Sequence, residues 1–242
     1  MSSPPQPSEI VTIATPGKIW SDGKRAAVWV AGMGSPDLLE SPANVTMLGS
    51  ARYLSNIAHN KYVQLMDGTA NKWGKLFVNA ERSDGSHVTC WELRASIKIN
   101  NMAAGDDIYL FGNESDNSLF NVNVMLDGDG IHAGVDVYND GDPEDWLYIG
   151  RTGHSIADTA CGINLYGDTY KTYVLKRFGD KCEFYIESEG SNTTRTGVLF
   201  DLADDIMGGE KPSGWNFGVA ARCGTQTMIP EVQYIELRYI DQ

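Results

Sequence analysis

The sequence predicts an all-β fold built as a two-sheet antiparallel β-sandwich. Apolar and polar residues alternate over positions 91–99 and again over positions 131–138, which is the two-residue period of a strand with one buried face. Similar runs recur along the chain between Gly, Asp and Asn turns, as in sandwich domains. A short helical pattern is confined to residues 199–207. We therefore expect two packed layers of strands and little helix.

The strands can be assigned in order from the same alternation. Two early runs, at residues 61–66 and 76–80, predict the first strands, and a Phe-Gly-Asp-Lys turn at 178–181 predicts a hairpin. The remaining predicted strands are 91–99, 122–126, 131–137, 146–150, 170–177, 182–187, 215–222 and 232–240. Residues 1–9 are rich in Ser and Pro and are interpreted as a flexible leader. No change of composition divides the rest, so residues 10–242 are interpreted as a single sandwich domain.

Composition limits the function classes. The 242 residues contain 19 Lys and Arg against 32 Asp and Glu, a formal net charge of -13. This charge would repel nucleic-acid phosphates, so no nucleic-acid partner is expected. No apolar run approaches the roughly 20 residues that cross a bilayer, so no membrane insertion is expected. The four cysteines, Cys90, Cys161, Cys182 and Cys223, fit no zinc spacing; buried thiols and one disulfide both stay open.

The order of the late strands resembles that of a known superfamily. A strand, a Gly-Asp turn and a second strand cover residues 173–186, and residues 214–220 then lead to a C-terminal strand. Over roughly residues 88–240 this order resembles the concanavalin-A-like (jelly-roll) superfamily, and within it most closely the L-type lectins. The resemblance implies a lectin domain with a glycan or glycoprotein partner, in the secretory pathway or outside the cell. Whether the chain forms a homo-oligomer stays open.

An acidic loop after the predicted strand 131–137 is the candidate calcium site. Calcium prefers six to eight hard oxygen ligands, often carboxylates and carbonyls from one loop. The resemblance implies that Asp136 is a carboxylate ligand, that Tyr138 offers its backbone carbonyl, and that Asp140 contacts both metal and sugar. The full candidate set is Asp136, Tyr138, Asp140, Asp142, Asp145 and Asp158. Legume members carry a Glu where this chain has Gly134, and an ordinary solvated acidic turn is the alternative interpretation.

Further residues are candidates for contact with a sugar. L-type lectins place a sugar-binding Asp just before a comparable strand, a place that Asp106 or Asp107 fills here. Trp146 and Trp73 lie beside predicted loops, where an aromatic ring can serve as a platform for a sugar face. The resemblance adds three more positions to the ligand-binding set, namely Asp140, His154 and Gly224. An Asp-rich β-turn is the alternative for residues 106–107.

Two other function classes stay open. A polysaccharide lyase would need Arg94, His132 and Tyr138 on one open face, with Arg94 binding a uronate carboxylate and His132 or Tyr138 abstracting the C5 proton. The glucanase motif Glu-x-Asp-x-Glu, which supplies two catalytic carboxylates, is absent, and this favours a binding protein over an enzyme. The third class is a structural or attachment module, for example on a cell or virion surface.

Overall fold

The structure is a computed structural model that describes residues 28–30, 46–55, 61–81, 88–103, 107–115, 130–137, 146–151, 154–160, 165–187, 195–201, 212–225 and 227–239. Every regular element in these ranges is a β-strand, which confirms the predicted fold class. Within the same ranges, no helix has the length and apolar character needed to cross a membrane. The predicted leader, residues 1–9, and the predicted strand at 122–126 lie outside them.

Fifteen strands are described. In chain order they are β1 (Val28–Val30), β2 (Thr46–Gly49), β3 (Arg52–Ser55), β4 (Lys61–Gln64), β5 (Lys72–Asn79), β6 (Cys90–Ala103), β7 (Asp107–Glu114), β8 (Ile131–Asp136), β9 (Trp146–Arg151), β10 (His154–Ala160), β11 (Lys171–Phe178), β12 (Lys181–Glu187), β13 (Arg195–Asp201), β14 (Asn216–Cys223) and β15 (Thr227–Tyr239). The two predicted early strands are present as β4 and β5, and the predicted hairpin joins β11 to β12.

The strands form two antiparallel sheets. One sheet has eight strands in the order β13-β12-β11-β6-β15-β4-β3, with β1 pairing a further stretch of β15. The other has seven strands in the order β10-β9-β8-β7-β14-β5-β2. Half of the neighbouring pairs in these orders are consecutive strands, and the other half, such as β6 with β15 and β5 with β14, join segments distant in sequence. The two layers therefore depend in part on long-range pairing, as is typical of sandwiches.

The hydrophobic core lies between the two sheets. The alternation in β6 and β8 sends every second side chain into it, namely Trp91, Leu93, Ala95, Ile97 and Ile99 from β6 and Ile131, Ala133 and Val135 from β8. Trp91 is fully buried, and its ring meets Phe217 of the opposite sheet edge-to-face at 5.3 Å. Burial of an aromatic ring of this size removes a large apolar area from water and dominates the packing of a core.

A buried asparagine links the two sheets through its side chain. Asn113, in β7, has the left-handed backbone angle φ of 53° and is fully buried. Its Oδ1 accepts hydrogen bonds from Trp91 Nε1 at 2.6 Å and Arg177 Nη1 at 2.7 Å, both in the other sheet. Its Nδ2 donates to the carbonyls of Val88 and Gly214. Because a buried polar group is costly unless it is bonded, this arrangement satisfies both ends of the amide.

Two sequence expectations are settled by these elements. The helical pattern at residues 199–207 is wrong for residues 199–201, which belong to strand β13 and pair with β12; residues 202–207 lie outside the described ranges. Cys90, Cys182 and Cys223 are thiols that form no disulfide, and the latter two are buried. The buried-thiol alternative is therefore confirmed for Cys182 and Cys223, whereas Cys90 is a half-buried thiol.

Candidate functional site

Five residues from five strands form one row across the seven-stranded sheet. The register pairs Trp73 with Arg222, Arg222 with Asp107, Asp107 with Asp136, and Asp136 with Trp146. We call these five residues the Asp107 row. It lies where β7 and β9 begin and where β8 and β14 end. Since Ile108 and Val135 point into the core, Asp107 and Asp136 point away from it, to the outer face of the sheet.

The two carboxylates of the row are direct neighbours. Residues opposite each other on antiparallel strands have Cβ atoms about 4.5–5.5 Å apart, and like charges at such positions repel. Asp107 is 1% exposed, whereas Asp136 is half-buried. On the other side of Asp107, Arg222 Nε donates a hydrogen bond of 2.5 Å to Asp107 Oδ2. This charge-assisted bond offsets both the burial of the carboxylate and its repulsion from Asp136.

Two hydrogen bonds anchor the chain beside this end of the sheet. Tyr166 Oη donates to the carbonyl of Val137, the residue that follows β8, at 3.2 Å. The backbone N–H of Asn71 donates to the carbonyl of Gly224, the residue that follows β14, at 2.6 Å. The end of β8 and the predicted ligand Gly224 are therefore held on the two strands that flank Asp107, just beyond the Asp107 row.

A second row lies one pleat further along the same face. It contains Lys75, Ala220, Tyr109, Gly134, Tyr148 and Asp158 in register. Lys75 forms a buried ion pair with Glu114, with Nζ 2.6 Å from both carboxylate oxygens. Its ammonium lies 4.4 Å from the centre of the Phe111 ring, a cation–π distance.

Gly134 lies where β7 leaves no room for a side chain on β8. A Cβ atom at this position would lie 2.2 Å from the carbonyl oxygen of Ile108 on the neighbouring strand. No side chain fits there without moving β7 away from β8. A side chain as long as the Glu that the resemblance implies for this position therefore has no room in this sheet.

His132 belongs to a third row, and the prediction that it lies on an open face is wrong. Its ring stacks on Tyr109 at 5.4 Å and meets Phe111 edge-on at 6.2 Å. The residue points away from the core as predicted, but it is only 1% exposed. Tyr109 and Phe111 belong, with Phe77 and Ala220, to a second apolar cluster on this face. Strand alternation indicates which face a side chain takes, and burial on that face depends on its neighbours.

The predicted lyase set is also wrong for the pair Arg94 and His132. Arg94 lies in β6 of the eight-stranded sheet, and His132 lies in β8 of the seven-stranded sheet. Both point away from the core between the sheets, so they lie on opposite sides of the sandwich. Arg94 bonds Glu92 and also Glu187, the latter at 3.1 Å. The third member, Tyr138, lies outside the described residues.

The other predicted residues fall into three groups. Asp107, Asp136 and Gly224 come together at the Asp107 row, and the backbone of Trp146 completes that row. Asp158 lies in the second row, which is next to the Asp107 row. His154 pairs with Arg151 at the far end of the β9–β10 hairpin. The remaining candidates, Asp106, Tyr138, Asp140, Asp142 and Asp145, lie outside the described residues. Within those ranges, no group of three or more His, Cys, Asp or Glu is placed to hold a metal ion.

Sequence reasoning did not identify Arg222, Lys75 or Glu114. Arg222 is 115 residues from Asp107, and Lys75 is 39 residues from Glu114, so no local motif links either pair. The one available signal is alternation in β5, which places Trp73, Lys75 and Phe77 on one face. That signal indicates a shared face and does not identify the partner.

Comparison with known proteins gives matches among solved structures. No family model and no curated protein sequence matches the chain. The VIP36 exoplasmic/lumenal domain, in its Ca2+/Man3GlcNAc-bound form, matches with a TM-score of 0.63 at 15% identity, over 83% of this chain and 85% of that one. Peanut lectin matches with a TM-score of 0.61 at 14% identity, over 87% and 96%.

The carbohydrate recognition domain of Emp47p is a further match, with a TM-score of 0.56 at 14% identity over 90% of this chain and 98% of that one. TM-scores of this size, over more than four fifths of each chain, establish a shared fold. The two sheets, their antiparallel order and these likenesses agree with the resemblance that the late strands indicate. The chain has the concanavalin-A-like β-sandwich fold of the L-type lectins.

Proposed function

We propose that this chain is a carbohydrate-binding domain whose site is the Asp107 row. The observation that carries the proposal is the register of Asp107 with Asp136. The sequence predicts roles for these two residues separately, one as a sugar ligand and one as a metal ligand. A binding site for sugars needs carboxylates to accept bonds from hydroxyls and aromatic rings beside them. The row supplies both, with the carboxylates of Asp107 and Asp136 and the half-buried ring of Trp73 at its β5 end.

The matched structures support the same class of ligand. VIP36 was solved with Ca2+ and Man3GlcNAc, with Ca2+ and Man2, and with Ca2+ and mannose. We therefore choose mannose oligosaccharides as the first probes for this chain. VIP36 is described as an exoplasmic/lumenal domain, which favours the secretory pathway or the extracellular space for this protein. None of these neighbours supports a place on a virion surface.

Calcium fits the donor chemistry on the Asp136 side of the row. Asp136 offers a half-buried carboxylate at the end of β8, and the sequence that follows it carries further carboxylates. Hard oxygen ligands of this kind are those that Ca2+ prefers. The proposed ligands are Asp136, Asp158 and the 138–145 donors Tyr138, Asp140, Asp142 and Asp145. When bound, the ion would order the donors that follow β8. Asp107 itself pairs with Arg222 and is assigned to the sugar.

A glycan-array screen, run with calcium and again with chelator, tests the proposal. Binding that is lost on chelation supports a site organised by the metal. Binding that survives chelation supports the sugar site and removes calcium from it. Absence of binding to every glycan under both conditions would sink the proposal.

The calcium assignment has its own test. A ligand that binds only the native state raises the melting temperature by mass action. Calcium should therefore raise the melting temperature of the wild type and not that of Asp136→Ala. Asp180→Ala, which changes a carboxylate in the β11–β12 turn of the other sheet, should keep the rise. An equal rise in Asp136→Ala would remove Asp136 from the metal site.

A further inference from the structure

The contact between Arg222 and Asp107 follows from the pairing of their strands in the sheet. The two residues are register partners on β14 and β7, so the backbone pairing itself brings their side chains together. The Asp107 side chain is 1% exposed and the Arg222 side chain 11% exposed. An ion pair so withdrawn from water is screened less by solvent and salt than a surface pair. The geometry of Asp107 is therefore tied to a partner on the opposite side from Asp136.

The order of the strands places Arg222 and the proposed calcium ligands on opposite sides of Asp107. From β14 to β9 the row reads Arg222, Asp107, Asp136 and Trp146. The proposed calcium ligands follow or flank Asp136, on the β8 and β9 side. Arg222 stands on the β14 side. Asp107 thus has a cationic partner from the protein, independent of any ion bound near Asp136.

We propose that Arg222 is the positioning residue that holds the Asp107 carboxylate for sugar hydroxyls, an inference that rests on the proposed carbohydrate-binding function. A carboxylate has about four lone-pair positions on two oxygens, so one bond from Arg222 Nε leaves acceptor capacity for hydroxyl donors. By fixing the rotamer of Asp107 before the sugar arrives, Arg222 reduces the ordering cost of binding. Calcium would then organise the Asp136 side, and Arg222 the Asp107 side, of one site.

The test measures affinity for Man3GlcNAc by calorimetry, in calcium, for the wild type, four variants of the Arg222–Asp107 pair and one control variant. Arg222→Gln should weaken binding roughly ten-fold or more, as expected when a charge-assisted bond that orients a ligand-binding group is lost. Arg222→Lys keeps the cation beside Asp107 and should recover part of the loss. Asp107→Asn should weaken binding strongly. The double variant Arg222→Gln/Asp107→Asn should be no weaker than Asp107→Asn, because the two residues act as one unit.

Arg238→Gln is the matched control. The Arg238 side chain is 12% exposed and is also paired with carboxylates, Glu92 and Glu236, but it lies in β15 on the other sheet. It should lower stability without changing affinity. The calcium-dependent rise in melting temperature should be the same in Arg222→Gln as in the wild type. All titrations are made below the melting temperature of each variant, so that a purely structural role of Arg222 would leave affinity unchanged.

The outcomes separate the two proposals. Wild-type affinity in Arg222→Gln, together with loss of binding in Asp107→Asn, overturns the role of Arg222 and leaves the carbohydrate site standing. Equal affinity in all variants overturns the site as well. Absence of Man3GlcNAc binding by the wild type overturns this inference, and the array screen then decides whether another glycan is bound.

Discussion

Arg177 Nη1 donates a hydrogen bond of 2.7 Å to Asn113 Oδ1, and this bond crosses the core from one sheet to the other. The same oxygen accepts from Trp91, and the amide nitrogen donates to two carbonyls. Asn113 lies at the far end of β7 from Asp107. The bonds of Asn113 therefore hold the sheets together at the end away from the proposed site.

Replacing Asn113 should destabilise the fold without touching the site. Asn113→Ala would leave buried polar partners without bonds, which we expect to cost about 3 kcal/mol or more in the free energy of unfolding. Asn71→Ala is the matched control, because Asn71 has a similar φ of 56° but is exposed. It should cost only the left-handed backbone penalty of roughly 1–2 kcal/mol. Urea denaturation measures both, and equal losses would contradict the role of the buried bonds.

The sequon Asn113-Glu114-Ser115 should stay unglycosylated in the folded protein. The Asn113 Nδ2 atom that would carry the glycan donates hydrogen bonds to Val88 and Gly214, and the residue is 0% exposed. A glycan there has no room inside the core. After expression through a secretory pathway, mass spectrometry of the tryptic peptide should find Asn113 unmodified. A folded, fully glycosylated fraction at Asn113 would contradict this packing.

Removing one partner of the Lys75–Glu114 pair should lower the free energy of unfolding strongly, whereas replacing both partners by apolar residues should lower it little. Both side chains are 1% exposed. Lys75→Met leaves Glu114 buried without its cation, which typically costs about 3–5 kcal/mol. The double variant Lys75→Met/Glu114→Leu should recover most of that loss, because a buried ion pair is often replaceable by apolar groups.

A more exposed ion pair supplies the comparison for Lys75. Lys98 Nζ lies 2.9 Å from Glu231, with side chains 17% and 9% exposed. We expect Lys98→Met to cost about 1 kcal/mol, nearer the range of surface pairs. Chemical denaturation gives both values. A larger loss for Lys98→Met than for Lys75→Met would contradict the assignment of Lys75 as the more strongly buried charge.

Ionisation of the Tyr170 hydroxyl should lower the free energy of unfolding at alkaline pH. Burial, together with the neighbouring carboxylate of Glu231, raises the pKa of Tyr170 above its ordinary value of 10.0. Below about pH 10 the Tyr170 hydroxyl is protonated in both the folded and the unfolded chain, and its contribution to stability is fully present. As the pH rises towards the folded-state pKa, the unfolded chain releases this proton first, and the contribution is lost. Tyr170→Phe should flatten this decline in urea midpoints between pH 8 and 11.

Tyr53→Phe is the control for Tyr170→Phe, because Tyr53 is exposed. Its curve should follow that of the wild type across the whole pH range. If Tyr170→Phe showed the same alkaline decline as the wild type, the burial of the Tyr170 hydroxyl beside Glu231 would not govern this pH dependence.

Much of the fold is predictable from alternation alone. The period-two patterns of β6 and β8 correctly identify which side chains enter the core, because each strand exposes opposite faces by geometry. The pattern does not say which sheet a strand joins. Alternation therefore predicts one shared open face for Arg94 and His132, although their strands belong to different sheets. Sheet membership depends on pairing between distant segments, which local sequence does not record.

The candidate site is predictable only in part, for the same reason. The sequence identified Asp107 and Asp136 as separate candidates, and the register shows that they are neighbours. The sequence does not identify Arg222, because no local pattern links an arginine in a strand to a carboxylate 115 residues away. The short helical pattern at residues 199–207 predicts a helix, yet residues 199–201 pair with β12. Tertiary pairing overrides local propensity at such positions.

Glycan-array binding by the wild type, Asp107→Asn and Asp180→Asn tests the central claim most directly. Asp107→Asn removes the carboxylate paired with Arg222 while keeping its shape, and Asp180→Asn makes the same change in the β11–β12 turn of the other sheet. We predict that the wild type and Asp180→Asn bind the same glycans and that Asp107→Asn loses them. Equal binding by all three proteins, or no binding by the wild type to any glycan, would contradict a carbohydrate site at the Asp107 row.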